Sequence, residues 1–315
     1  MTRFFLKTAL LLGLLTATAL GCWYVANRQE TNTTNGWAAI VNKHRPRPTP
    51  APILWLVGGS NVMFGYDSDQ LTAGLRQPVY NLGIGAALGL PFMLNEVRDV
   101  AKPGDTVLLS LEYDLREGSY NVQLQAADFY PPARAYIHYP NPMTWLRAQA
   151  QYRLRKARAG INSLLYGWST PPPNPTVADT VNVYFENAFS NRGDLLSHLN
   201  NPQPPQPDFA APLIFSPYRA YIDQVNAFVA DQNRRGVRVF FTYPPLSQTA
   251  YLANKPIYRR WQHELATYLK APILTNPDST VYADSLCFDT IYHLNRPGRT
   301  RHTGQVLAAL GQKLN

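Results

Sequence analysis

The chain has 315 residues, 45% of them hydrophobic, with a formal net charge of +9 and 27 prolines. That length and apolar content suffice for one large domain or two small ones with a real core, and the basic balance suits nucleic acid, anionic lipid or an acidic polymer. The two cysteines, Cys22 and Cys287, exclude a disulfide framework in the folded part and a cysteine-built metal centre, while the lack of zinc-finger spacing and of an aromatic RNA-binding motif sets nucleic acid aside.

Arg3 and Lys7 precede an uncharged apolar run over 8–26, close to the roughly 20 residues that a membrane-spanning helix needs. Flanking positive charge keeps residues 1–7 on the cytoplasmic side and directs the bulk of the chain outward, with Trp23 and Tyr24 suited to the far interface. Residues 1–27 therefore read as a membrane anchor or signal segment. A cleaved leader and a lipoprotein signal at Ala19-Leu20-Gly21-Cys22 are the alternatives, and all three place 30–315 outside the cytoplasm, in the periplasm or at the cell surface. Residues 28–52 are polar and then proline-rich (RPRPTPAP), the composition of a linker.

After the linker, strands and helices alternate. ILWLV (53–57) is short and apolar, as buried strands are, and is followed by a helix over 68–75. PVYNLGIG (78–85) carries a second strand, 90–101 a helix, and TVLLSLEY (106–113) a third strand. Further on come a helix over 218–235, the strand VRVFFTY (237–243), a helix over 257–269, the short strand APILT (271–275) and a terminal helix over 298–314. Such alternation implies an α/β fold with a parallel sheet and helices on both faces, in one domain over 53–315.

The alternation breaks at about 115–217, where PP (131–132), PNP (140–142), PPPNP (171–175) and PQPPQP (202–207) crowd together. This stretch reads as a large proline-rich insertion over the active face. Its strongest element is a helix over 143–168, in which Arg147, Arg153, Arg155, Lys156 and Arg158 interleave with Trp145, Leu146, Tyr152 and Leu154. A solvated charged face is one reading. The other sets the apolar side against the domain and the arginines toward anionic headgroups or an acidic glycan.

Open parallel sheets bind ligands just beyond the carboxyl ends of their strands. At those ends stand Gly58, Gly59, Ser60 and Asn61 after the first strand, Asn81, Gly83 and Gly85 after the second, Glu112, Tyr113 and Asp114 after the third, and Tyr243 after the fourth. Asp289 and His293 precede the last helix. Ser60 alone suits a helix cap. Beside an Asp–His pair it suits a nucleophile, because a serine hydroxyl needs a base to take its proton. An imidazole titrates near neutrality, and a carboxylate fixes its tautomer. The amides of Ser60 and of Gly83 or Gly85 are the expected oxyanion donors. Glu112 suits a structural ion pair equally well, and Arg192, Asp194 and His198 suit loop architecture, with substrate contact as the alternative. No cofactor or metal is expected.

G-G-S-N after the first strand, N-L-G after the second and "YHLNRPGRTRHT" before the final helix resemble the SGNH (GDSL-type) hydrolases, over about 53–112 and 218–315. The resemblance implies a flavodoxin-like three-layer α/β/α sandwich, with Ser60 as nucleophile, His293 as base and Asp289 as its orienting acid. It is nearest to membrane-anchored extracytoplasmic members of the D-alanyl-lipoteichoic-acid transfer and exopolysaccharide O-acetylation types. The implied activity is a serine acylesterase or O-acyltransferase on a cell-surface polysaccharide or polymer. The expected partners are the polymer, an acyl donor, the membrane and a membrane-bound acyltransferase. The alternative is a non-catalytic glycan-binding or assembly partner that retains the fold. Two departures stand out. Asp289 and His293 are four residues apart where the family commonly has three, and "SLEYDL" lacks the asparagine that the family's third block gives to the oxyanion hole, so Asn61 or Asn81 is the expected substitute, with Gly59, Glu112 and Tyr113 lining the site.

Overall fold

The computed structural model describes residues 2–30, 36–45, 50–113, 115–166, 183–184, 188–204 and 209–314. Asp114, the PPPNP run and the second half of the PQPPQP run lie outside the described residues.

In chain order the elements are helices α1 (Thr2–Glu30) and α2 (Ala39–Lys43), strand β1 (Leu54–Val57), α3 (Ser60–Gly65), α4 (Ser68–Leu75), β2 (Val79–Asn81), α5 (Leu90–Val100), β3 (Thr106–Leu109), α6 (Tyr120–Phe129) and α7 (Pro142–Tyr166). There follow α8 (Arg219–Arg234), β4 (Arg238–Phe241), β5 (Leu246–Ser247), α9 (Gln248–Ala253), α10 (Lys255–Tyr268), β6 (Val281–Tyr282) and α11 (Arg296–Leu314).

Four strands form one parallel sheet in the order β2-β1-β3-β4, with Leu54 opposite Val79 on one side and Thr106 on the other. The expected strand at 271–275 contributes a single parallel bridge, Ile273 to Phe241. The buried Asp105 carboxylate pins the entry of β1: it accepts from the Ile53 amide at 2.8 Å and the Trp55 indole at 2.9 Å. Side chains alternate across the strands. Trp55, Val57, Val107, Leu109 and Phe241 join the cluster that holds Phe92 and Val97 of α5 and Phe228 of α8. Leu54, Leu56, Leu108 and Phe240 meet Leu71 of α4 and Val306 and Leu310 of α11. Both sets are buried, which is why these strands read as unbroken apolar runs; each such aliphatic side chain contributes about 1.5–3 kcal/mol of burial.

Two expectations need revision. Part of the presumed linker is folded: Ile40 of α2 lies in the main core, Lys43 is buried with its ammonium on the Gly193 carbonyl and 4.9 Å from the Phe189 ring, and Trp37 lies against Gly85. The proline signal masked a short amphipathic segment, A-I-V-N-K, that the domain buries. The basic helix is also turned differently. Its buried seam is Ala148, Tyr152, Lys156 and Gly160, spaced by four, while Trp145, Leu146 and Leu154 are exposed. Asp128 of α6 draws the seam inward, accepting from the Tyr152 hydroxyl at 2.6 Å and pairing with Lys156 at 2.5 Å. The 115–166 stretch is continuous with the main core through Leu124, Tyr136 and Tyr152. Beside it runs α1, whose first 23 residues are long and apolar enough to cross a membrane.

His198 and His302 are buried, and chiefly for that reason each imidazole is pushed down from an ordinary value near 6.5 to about 3. The unfolded chain takes up these protons near 6.5 and the folded chain only near 3, so stability falls as pH drops through that window. Each group adds a slope of up to about 1.4 kcal/mol per pH unit there. Urea midpoints should therefore be lower at pH 5 than at pH 7, and His302→Phe should flatten the dependence whatever it does to stability at pH 7.

Candidate active site

The turn from β1 into α3 is built by close approach. A side chain on Gly58 would collide with the Ser110 carbonyl and Val62, and one on Gly59 would fall on the Glu112 carboxylate. Both positions need glycine for that reason. Glu112, buried at the end of β3, accepts from the amides of Gly59 and Asn61, each at 3.2 Å. A carboxylate at a helix start complements the unpaired amides there. Ser60 begins α3 between these two donors and is half-buried. Its own amide, as the first of a helix, has no intrahelical acceptor.

The Asp–His pair sits on a closed loop. Cys287 and Leu294 form an antiparallel bridge, and the Phe288 amide donates to the His293 carbonyl at 2.7 Å. The loop absorbs the four-residue spacing: His293 Nδ1 lies 2.6 Å from Asp289 Oδ1. Nδ1 is then the donor, which leaves Nε2 as the basic nitrogen. The His293 ring stacks face to face on Phe64, with centroids 3.9 Å apart and planes 4° from parallel. Phe64 lies one helical turn after Ser60 on the same side of α3, so the base and the hydroxyl share one helix face. No hydrogen bond joins Ser60 to His293 among the described residues. His198 packs behind the stack, 4.5 Å from Phe64 between centroids, with Nε2 3.2 Å from the Leu294 carbonyl. Tyr184 borders the site, edge-on to Phe64; burial first, and the Asp289 charge second, push its phenol up.

Several expected site residues are committed elsewhere. The Asn61 side chain donates to the Ser110 carbonyl at 2.9 Å and hydroxyl at 3.1 Å. Asn81 donates to the Val62 carbonyl at 2.9 Å and to Asp194 at 2.8 Å, and its oxygen accepts the Gly83 amide at 2.9 Å. Neither asparagine replaces the missing oxyanion donor, and Gly83 has no amide to spare. The Gly85 amide makes no hydrogen bond among the described residues, and that glycine faces Trp37. Tyr113 points into the core. It is 2% exposed, stacked near Trp261, and its hydroxyl accepts from Gln262 at 3.1 Å, with burial pushing the phenol up. It lines no cleft. Phe64 and Tyr184 went unread in the sequence as site neighbours, and only Phe64 carried a local signal, its four-residue spacing from Ser60; His198, singled out in the sequence, packs behind the site.

One buried carboxylate organises these parts. Asp194 accepts from the Ser68 amide at 2.8 Å, the Ser68 hydroxyl at 2.7 Å and Asn81, and pairs with Arg299 of α11 at 3.4 Å. Among the described residues no group of three metal-ligating side chains converges. Removing Asp194 leaves the buried Arg299 with only the longer Asp67 contact at 3.6 Å as a carboxylate partner and takes from Asn81 one of its two acceptors. Asp194→Ala should cost about 3–5 kcal/mol, read as a lower urea midpoint of the full chain in detergent, whereas Asp69→Ala at the exposed Arg192 pair should cost under about 1 kcal/mol. No protein-family model matches this chain, and no curated protein matches it.

Proposed function

We propose that the chain is an extracytoplasmic serine acylesterase or O-acyltransferase of the SGNH type, acting on a cell-surface polysaccharide or polymer. In this reading the sheet and its flanking helices are the three-layer sandwich of that superfamily, and α1 is a membrane anchor. The observation that carries the proposal is the Asp289–His293 pair stacked on the helix that Ser60 begins. Parallel sheets of this order place ligands where the chain reverses direction across the sheet, and β1 and β3 flank that point here.

The chemistry follows from the parts. The Ser60 hydroxyl attacks the acyl carbonyl while its proton passes to His293 Nε2; catalytic contacts of this kind tighten when substrate binds. Asp289 holds the imidazole and stabilises the imidazolium. The Ser60 amide, with that of Gly85, faces the developing oxyanion. Collapse expels the donor alcohol, which takes the proton from His293. Water or a sugar hydroxyl then releases the acyl group by the reverse proton path. Neither a metal nor an organic cofactor enters these steps.

A second reading, a glycan-binding or assembly partner without turnover, is favoured by Glu112. Its carboxylate stands on the amides either side of Ser60, where negative charge opposes an oxyanion. Fluorophosphonate labelling separates the two. The parent chain should be labelled, with Ser60 Oγ displacing fluoride, while Ser60→Ala and His293→Ala should not. Asp289→Asn should slow acetyl-ester hydrolysis roughly 10³–10⁴-fold through the wrong tautomer. An unlabelled parent of intact fold would leave the binding reading standing.

A further inference from the structure

The exposed side of α7 remains unassigned. Opposite the Ala148–Gly160 seam, Leu146, Ala150, Leu154, Ile161 and Leu165 are all exposed. Their spacings of four, four, seven and four return to one side of a 3.6-residue helix. Leu154 is 70% and Leu165 69% exposed, more than is usual for leucines grouped on one face. Arg147 and Arg158 border this stripe on one flank and Arg153 on the other, with Arg155 further round, and all four lie at the surface. An apolar stripe edged by arginines is the pattern of a helix lying in a membrane interface. The arginines and the buried Lys156 exclude α7 from crossing.

The occupant is set by the neighbour of α7. It packs against α1, and at Gly160 the two backbones come so close that a side chain there would strike the Cys22 carbonyl. Cys22 and Trp23 lie at the outer end of the apolar segment of α1, so α7 meets α1 at the depth where headgroups begin. Leu20 and Trp23 of α1 also line, with Trp145, Arg153 and Lys156 of α7 and Asp128 of α6, a cavity of about 870 Å³.

We infer that α7 is a second membrane-contacting element, with its leucine stripe at the acyl boundary and its arginines on anionic lipid headgroups. The inference rests on α1 being the anchor. It makes the catalytic domain a body seated on the bilayer.

The test uses the full chain in vesicles of phosphatidylcholine, with or without phosphatidylglycerol. Single cysteines replace Leu14, Leu154, Leu165 or Leu252 and carry an environment-sensitive fluorophore. Cys22 and Cys287 are buried, and burial pushes the Cys287 thiol up to about 12, so the added thiol is the one labelled. Spin-labelled lipid should quench Leu14→Cys in α1 and also Leu154→Cys and Leu165→Cys, but not Leu252→Cys, which is exposed on α9. Changing Arg147, Arg153, Arg155 and Arg158 to Gln should lower quenching at position 154 by roughly fivefold or more in anionic vesicles and little in neutral ones. Quenching at 14 with position 154 open to aqueous iodide overturns the inference and leaves the anchor intact. Position 154 shielded from both quenchers also overturns it, because a second copy or another protein then covers the stripe. No quenching at 14 removes the anchor reading, and the inference with it.

Discussion

A buried carboxylate must find partners or give up its charge, and Asp194 finds them on three separate segments. The start of α4, the end of β2 and the terminal helix α11 all converge on it. Asn81, held by Asp194, in turn fixes the Gly83 loop and donates to the Val62 carbonyl inside α3. Arg299 continues the same network to the Leu195 carbonyl at 3.1 Å, six residues after His293 in the chain. The loop that carries the imidazole and the helix that carries the serine are thus tied to one negative charge contributed by a residue distant from both in sequence. Burial makes such a network costly to leave incomplete, and that cost holds the two halves in register.

Glu112 plays a comparable part closer to the chemistry. It grips the amides of Gly59 and Asn61 and so sets the pose of Ser60, yet in the proposed reaction its acceptor oxygens stand beside the point where an acyl oxygen would become negative. One side chain therefore shapes the nucleophile turn and weighs against a strong oxyanion hole.

The sheet was legible because both its faces are buried. LWLV, TVLL and RVFF are continuous apolar or nearly apolar runs bounded by glycine, proline or charge, and each is a strand. Helices α4, α5, α8, α10 and α11 lie within two residues of where period and caps place them, as happens when local pattern and tertiary burial agree. Near the site, Ser60, Asp289 and His293 stand out by residue type and order, but the use of each amide does not. Whether Asn61 and Asn81 donate to a ligand or to the protein depends on Ser110 and Asp194, which are brought up from 49 and 113 residues away. Segment 36–45 escaped for another reason: the prolines that follow it read as punctuation, and only the burial of Ile40 and Lys43 reveals that the chain before them is packed.

Gly160 has a consequence for reach. Because it admits the backbone of Cys22 against α7, α1 is not a loose tether but a strut, fastened to the domain at Cys22. If α1 spans a bilayer, the distance from the lipid surface to Ser60 becomes a fixed dimension of the molecule. Under the proposed function, a polymer substrate would then have to come down to that height, and chain segments farther out would stay beyond reach. A bulkier residue at 160 would wedge the strut away and turn a set height into a variable one.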